Sequence, residues 1–344
     1  MRANAITSPL RWAVTATPMA TSPKDLSNQL DFIKGSARAA NFESLSDAIE
    51  NFCKKASEST LSGLADVLST IMVRHTKSQQ INGSAALSLP PSTTSTIMLT
   101  MSEQEDRAFN NINVGPSTFR RGAKALAVER FFAPQMCSVL HNCIHRELSE
   151  VVPYKPSCRQ YIPERLTKVV ALRKDLTEHL KSNPQLRAVV FTHHVDIHEV
   201  CVRALNQDGF DVHKFTGRSS ANARDAAIRN FQSTISSKPA VFVITLRSGN
   251  VGITLTAASR VYLLEPALDP AVEVQAAGRI HRLGQNKPCH VVKFVFRNSY
   301  EENVVELHKK ILVGDVSIVD GFVPPEAVTI LSTGLRFSSS ENST

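Results

Sequence analysis

What this chain lacks narrows what it can be. No apolar run among its 344 residues approaches the ~18 that a membrane-spanning helix requires. Its six cysteines (Cys53, Cys137, Cys143, Cys158, Cys201, Cys289) are scattered without a C-x-x-C pair, which indicates neither a disulfide framework nor a zinc ribbon. Cys137, His141, Cys143 and His145 lie close in sequence. Their spacing matches no standard zinc site, so buried structural side chains are the expectation and no metal is assigned. A Gly-x-x-x-x-Gly-Lys-Ser/Thr loop, which would cradle phosphates, occurs nowhere; Lys34-Gly35-Ser36 has neither its spacing nor its order. An acidic magnesium-holding motif is missing as well. No acidic residue precedes Asp25, and there is no strong basic targeting run. The Ser-, Thr- and Ala-rich opening with Arg2 and Arg11 superficially resembles a transit peptide, but its residues have a better explanation below. The balance points to a reducing, intracellular setting.

What is present is a core-forming chain, 42% hydrophobic, with a formal charge of +8. That charge fits a nucleic-acid partner without establishing one. The length allows two or three domains of ~100–200 residues each. Residues 166–182 are amphipathic, with Pro184 placed to end a helix. Strand and helix patterns then alternate: strands at 187–192, 210–215, 240–245, 260–264 and 290–296, and helices at 195–205, from Ser219 or Ser220 to Phe231, and from the Ser299-x-x-Glu302 capping box to about Leu312. This alternation predicts an α/β fold with a parallel sheet covered on both faces. In such a sheet, ligands sit beyond the carboxyl ends of the strands.

The rest of the chain is organised around residues 275–285, Gln-Ala-Ala-Gly-Arg-Ile-His-Arg-Leu-Gly-Gln. On a helix, Arg279 and Arg282 would leave the same face. Two fixed guanidiniums offer planar donor forks to a polyphosphate and can stabilise the charge that develops in phosphoryl transfer. For an isolated R-x-x-R pair, an exposed helix with solvated arginines is the ordinary alternative.

The whole string, Gln275-x-x-Gly278-Arg279-x-His281-Arg282-x-Gly284-Gln285, resembles motif VI of the Swi/Snf-type ATP-dependent DNA translocases, a branch of the superfamily-two helicases. Other stretches are similar to that family's motifs in the right order. Residues 11–19, with Thr15 and Thr17, resemble motif III, although Ala16 stands where the family has Gly. Arg74-His75-Thr76-Lys77 resembles its basic Arg-Arg-Thr-Lys signature. Phe191-Thr192-His193 matches motif IV, and Thr216-Gly217 with Arg224 and Phe231 matches the following pattern. Residues 245–256 resemble motif V, with Asn250 for Gly and Thr254 for Asn. Leu264-Glu265-Pro266-Ala267-Leu268-Asp269-Pro270 stands in place of Asp-Pro-x-Trp-Asn-Pro and lacks its aromatic and its Asn.

The resemblance implies a RecA-like helicase C-terminal lobe at 166–318, a parallel sheet with helices on both faces. Before it would come the end of a first RecA-like lobe with a helical insertion (1–101) and a helical linker (102–165); a tail at 319–344 is expected to be disordered. The strand at 95–100 would be the last of the first lobe. By resemblance, Arg279 and Arg282 are the catalytic arginines reaching the γ-phosphate of ATP, and Gln275, Gly252 and Gly278 belong to the ATP site. Thr192, His193, Thr216, Gly217, Arg247, Ser248 and Gly249 face nucleic acid, gripping its backbone without reading bases. Thr15 and Thr17 couple the two sites.

ATP with Mg²⁺ is then the cofactor of a complete motor, double-stranded DNA or chromatin and a first lobe bearing the phosphate loop are its partners, and the nucleus is its setting. Since motif III begins near residue 11, the chain is expected to be the C-terminal motor half, without ATP hydrolysis of its own. The alternative is a stand-alone, non-catalytic helicase-C module that binds DNA or a protein. The missing RING-like cysteine cluster points away from the RING-bearing DNA-repair members.

Overall fold

Strands that read as unbroken apolar runs can lie only where both faces of a sheet are covered. Arg187–Thr192 (β4) and Ala240–Thr245 (β6) are such runs, and apart from half-buried Arg187 every residue in them is buried. The computed structural model describes residues 8, 10–14, 24–34, 46–51, 58–73, 79–85, 87–103, 105–106, 166–217, 219–233, 238–249, 252–316 and 325–333. Two compact units result: 1–87 with 318–323, and 88–317 with 324–344.

In the first unit, α1 (Lys24–Lys34) and α2 (Glu58–Ile71) bury Leu26, Leu30 and Leu64 together with Ile49. A two-residue hairpin follows, β1 (Gln80–Ile81) with β2 (Ser84–Ala85). Its turn residues Asn82 and Gly83 both have positive φ, 52° and 77°, the chemistry a tight hairpin demands. The motif III stretch around Thr15 and Thr17, the basic stretch at 74–77 and the Cys137–His145 cluster lie outside the described residues.

The second unit is built on six parallel strands in the order β3-β8-β7-β4-β6-β5. Besides β4 and β6 these are β3 (Ser92–Leu99), β5 (Asp211–Phe215), β7 (Arg260–Leu263) and β8 (Cys289–Phe296). Side chains alternate between two cores. Val190, Val243, Tyr262 and Phe294 pack on one face with α3 (Thr167–Ser182) and α4 (Val195–Gln207). Phe191, Phe242, Val261 and Val291 pack on the other with Phe231, from α5 (Ala221–Gln232), and with Ala276 and Ile280. Gly209, at φ +85°, lets the chain leave α4 for β5. Ser220 caps α5 by accepting from Ala223 N, and Ser299 caps α8 (Tyr300–Leu312) through Glu301 N. Glu302 completes the α8 cap one residue earlier than a capping box would, at Asn298 N.

Two elements differ from expectation. The strand expected to close the first lobe is instead the edge of this sheet, paired along its length with β8 from Ser92↔Cys289 to Leu99↔Phe296. Its Ser/Thr half, 92–96, is largely exposed, as suits an edge strand. His290 fastens it, one ring nitrogen 2.6 Å from Thr93 Oγ1 and the other 3.0 Å from Ser95 Oγ. The tail also carries order: α9 (Pro325–Ser332) buries Ala327 and Leu331, four residues apart on one face. Asn303 Nδ2 of α8 donates to the Leu331 and Thr333 carbonyls.

Candidate nucleotide and nucleic-acid site

Parallel register brings the motif-bearing loops to one end of the sheet. Thr192 lies beside Thr245, and Phe215 beside Ile244, so the segments beginning at His193, Thr216 and Leu246 leave three neighbouring strands together. The connections run from β4 out to β5 and back to β6, then cross β4 to β7 and β8. The connection leaving β4 thus runs one way across the sheet, and those leaving its neighbours β6 and β7 run the other way. Open α/β sheets form a ligand crevice where adjacent strands diverge like this.

At this end Gly217 is exposed, and a Cβ added there would sit 3.8 Å from Ser248 Oγ. Thr216 N is held by Ser219 Oγ at 3.1 Å, and Arg224 donates to the Gly217 and Ser219 carbonyls. The α6 turn (Leu246–Gly249) carries Ser248, whose oxygen accepts from Thr245 Oγ1 at 2.8 Å. Arg247 and Gly249 belong to this turn; the Arg247 side chain is outside the described residues. Thr192 departs from its expected role. It is fully buried, its hydroxyl donates to Glu265 Oε1 at 3.0 Å and accepts from His194 N at 3.1 Å. In this arrangement it offers no donor to a phosphate. His193 stays half-buried, its backbone N–H donating to Glu265 Oε2 at 2.9 Å.

Beyond β7 the chain is irregular from 264 to 269 yet buried through residue 268. Buried backbone needs partners for each polar group, and charged side chains supply them. Leu264 N donates to Phe191 O, and Lys168 Nζ donates to Leu264 O at 2.6 Å. Glu273 accepts from Ala267 N at 3.1 Å, and His308 Nε2 donates to Ala267 O at 2.7 Å. Lys168 pairs with Glu301, and Lys293 with Glu273. Glu301 also accepts from Phe296 N at 2.9 Å, and burial pushes its carboxyl pKa up.

This cradle supports α7 (Pro270–Ala277), which Asp269 caps by accepting from Ala271 N, with Pro270 at its first position. The helix ends before the arginines, contrary to expectation. From Gly278 the chain turns: Arg279 N and Ile280 N reach back three residues, and Arg282 N reaches Ile280 O. The turn follows from what must go inside, since Ile280 is buried and so is the Gln285 side chain. Gln285 Nε2 reaches the Thr256, Ala258 and Ile280 carbonyls at 3.2, 2.7 and 3.1 Å, and its Oε1 accepts from Lys287 N. Gly284, at φ +95°, permits the reversal. At Gly278 a side chain would crowd the Gln275 and Val274 carbonyls at 3.2 and 3.3 Å, so its glycine serves packing.

Arg279 and Arg282 nevertheless stay together, just past the negative end of α7, where cations are favoured. Arg282 donates to Thr254 Oγ1 at 3.3 Å, and Arg279 O accepts from Leu255 N at 2.9 Å, which joins motifs V and VI. Burial, reinforced by the neighbouring Arg282, lowers the Arg279 pKa from its ordinary value. An anion placed between them would reverse that penalty, so the pair suits a polyphosphate's terminal oxygens. Gln275 is half-buried in the last turn of α7, while Gly252 is exposed, with nothing near enough to demand a glycine. Among the described residues no cluster of three or more His, Cys, Asp or Glu could hold a metal ion. Sequence reasoning missed Lys168, Gln232 and the role of Glu265. Gln232 fastens the motif V loop, bonding Thr256 Oγ1 and Ala257 N.

Residues 2–149 match the SNF2-related domain, and residues 171–284 match the helicase conserved C-terminal domain. These two domains, in this order, are those the chain shares with Swi/Snf-type helicases. The chain is 25% identical to the Helicase-like transcription factor of Homo sapiens, over 87% of its own length and 39% of that protein's. It is 33% identical to the DNA repair protein RAD5 of Candida albicans over 44% of its length and 14% of that protein's. Its fold resembles the SWI2/SNF2 ATPase core domain of Sulfolobus solfataricus, with a TM-score of 0.51 at 18% identity, covering 92% of the chain and 62% of that structure. The chain spans about two fifths of the human relative's length. A DNA-repair protein stands among the relatives although the cysteine pattern pointed away from RING-bearing repair members.

Proposed function

We propose that this chain is the C-terminal motor half of a Swi/Snf-type, ATP-dependent DNA translocase that works on duplex DNA or chromatin in the nucleus. The observation that carries the reading is the arginine pair, held past the end of α7 and tied to the motif V loop through Thr254 and Leu255. In a complete motor, ATP bound with Mg²⁺ on a first lobe supplies the phosphoryl group to be transferred. Arg279 and Arg282 then hold its terminal phosphate oxygens and offset the charge that develops there. His193, Thr216 and Gly217, at the adjoining strand ends, face the DNA backbone, with Ser248 buried behind Gly217. Lacking a phosphate loop, the chain alone does not hydrolyse ATP.

The test is DNA-stimulated phosphate release by this chain joined to a Swi/Snf first lobe that carries the phosphate loop and acidic motif. Activity that falls by roughly 10³-fold or more on Arg282→Ala supports the arginine role. Activity indifferent to both arginines removes it. The missing phosphate loop also favours a second reading, a non-catalytic module: duplex binding by the chain with no hydrolysis in any such pairing would select it.

A further inference from the structure

We propose that Glu265 is a positioning residue: it fixes the loop after β4 against the segment leading to the arginines, so that residues 193–194 meet the nucleic-acid backbone in one arrangement. This rests on reading the strand ends as a nucleic-acid interface. Glu265 is 2% exposed, and a buried carboxylate needs compensation. It finds that in the β4 loop, accepting from Thr192 Oγ1 with one oxygen and from His193 N with the other. Both bonds cross more than 70 residues of chain, and they lie at the end of β4, whose connection runs opposite to those of its two neighbours. A glutamate spans the gap with both oxygens engaged.

The backbone on either side of Glu265 is fixed independently. Leu264 O is held by Lys168, and Ala267 is held by Glu273 and His308. A shift of the β4 loop is therefore resisted by the same segment that enters α7 and ends at Arg279. The Thr192 hydroxyl and the His193 amide serve this join, leaving the outer face of the loop to the ligand.

The experiment uses the full chain, with Glu265→Gln, Thr192→Val and the double variant. Amide hydrogen exchange is read at His193 against the β4 amides, and duplex DNA binding is followed by fluorescence anisotropy across a salt series. With Glu265→Gln, the His193 amide should exchange roughly tenfold to a hundredfold faster while the β4 amides hold. Duplex affinity should fall roughly tenfold at each salt concentration. The slope of log affinity against log salt should stay unchanged, because residues 193–194 bring no Lys or Arg to the phosphates. A smaller folded fraction alone would speed exchange of the β4 amides as well. Thr192→Val should produce part of the same loss, and the double variant should be no worse than Glu265→Gln, because both break one join. Wild-type exchange and duplex affinity in Glu265→Gln, or losses that simply add, would overturn the proposal while leaving the interface reading intact. A wild-type chain that binds no duplex even at low salt would overturn the interface reading and take the proposal with it. Thr192→Val approaches the join from the other side should Glu265→Gln fail to fold.

Discussion

Residues 264–268 and residues 278–284 are both irregular backbone, yet the first stretch is wholly buried while the second leaves Arg282, Leu283 and Gly284 exposed. The buried stretch has its polar groups met by Lys168, Glu273 and His308, and its own carboxylate is taken up by the β4 loop. The exposed stretch is held by Gln285 from within, by Arg282 through Thr254 and by Leu255 N at the Arg279 carbonyl. Burial together with the like charge of Arg282 lowers the Arg279 pKa. The contrast separates support from display. Irregular backbone can be buried when charged side chains replace water, and that rigid support lets the next turn carry charges that disfavour each other until an anion arrives.

Breaking the support should have the largest effect. Lys168→Met leaves Glu301 buried without its counter-ion and should cost about 3–5 kcal/mol in urea unfolding. Adding Glu301→Gln to that variant should restore part of the loss, since the amide still accepts from Phe296 N. A single variant as stable as wild type would remove the support side of the comparison. Gln285→Leu comes next, at about 1–3 kcal/mol, because three carbonyls and the Lys287 amide lose their partner. Its distinguishing sign is a weaker grip on inorganic tripolyphosphate in calorimetric titration, since the turn that carries the arginines would loosen. Unchanged tripolyphosphate binding with lowered stability would make Gln285 a part of the support alone.

How far this arrangement was legible depended on the range of the interactions. The central strands β4 and β6 announce themselves by unbroken apolar runs, and Ser220 and Ser299 mark helix starts by local chemistry. The arginine string identified the family. Three features were hidden for physical reasons. A Ser/Thr-rich strand at 92–99 says strand but not which sheet, because pairing with β8 lies almost 200 residues away. The helical spacing of Arg279 and Arg282 was right about their proximity and wrong about the helix, because burial of Ile280 and Gln285 overrides the local period. Lys168, between buried Leu166 and Leu172, reads as a solvated lysine on an amphipathic helix; its carboxylate partner is 133 residues on.

Acid should act on the supporting side before the display side. His194 and His198, at the start of α4, have pKa values lowered from 6.5, in both cases mainly by burial. The folded state therefore favours the neutral rings. Their contribution is complete above about pH 6.5, where the unfolded chain is also neutral. It is lost as pH falls from there towards the folded values, because the unfolded state takes up the protons first. The urea midpoint should drop over that window, and His198→Phe should flatten the drop. His198 donates to Val243 O, so the variant starts from lower stability; the slope with pH, not the starting value, is the readout. A slope unchanged by the substitution would assign the acid response to other groups.

The smallest effect on stability should come from the residue that matters most to the proposed activity. Arg282 is exposed, and its bond to Thr254 is long at 3.3 Å, so Arg282→Ala should change the free energy of urea unfolding by less than about 0.5 kcal/mol. Removing it also relieves the like charge that lowers the Arg279 pKa, which works in the stabilising direction. Tripolyphosphate affinity should fall roughly tenfold in the same variant, since a charge-assisted fork is lost. That pair of results, stability held and anion binding lost, is what a displayed residue on a rigid support must give. A variant that instead unfolds easily and still binds the anion would make Arg282 part of the scaffold joining motif V to motif VI, and the division between the two regions would have to be redrawn with the arginine on the other side.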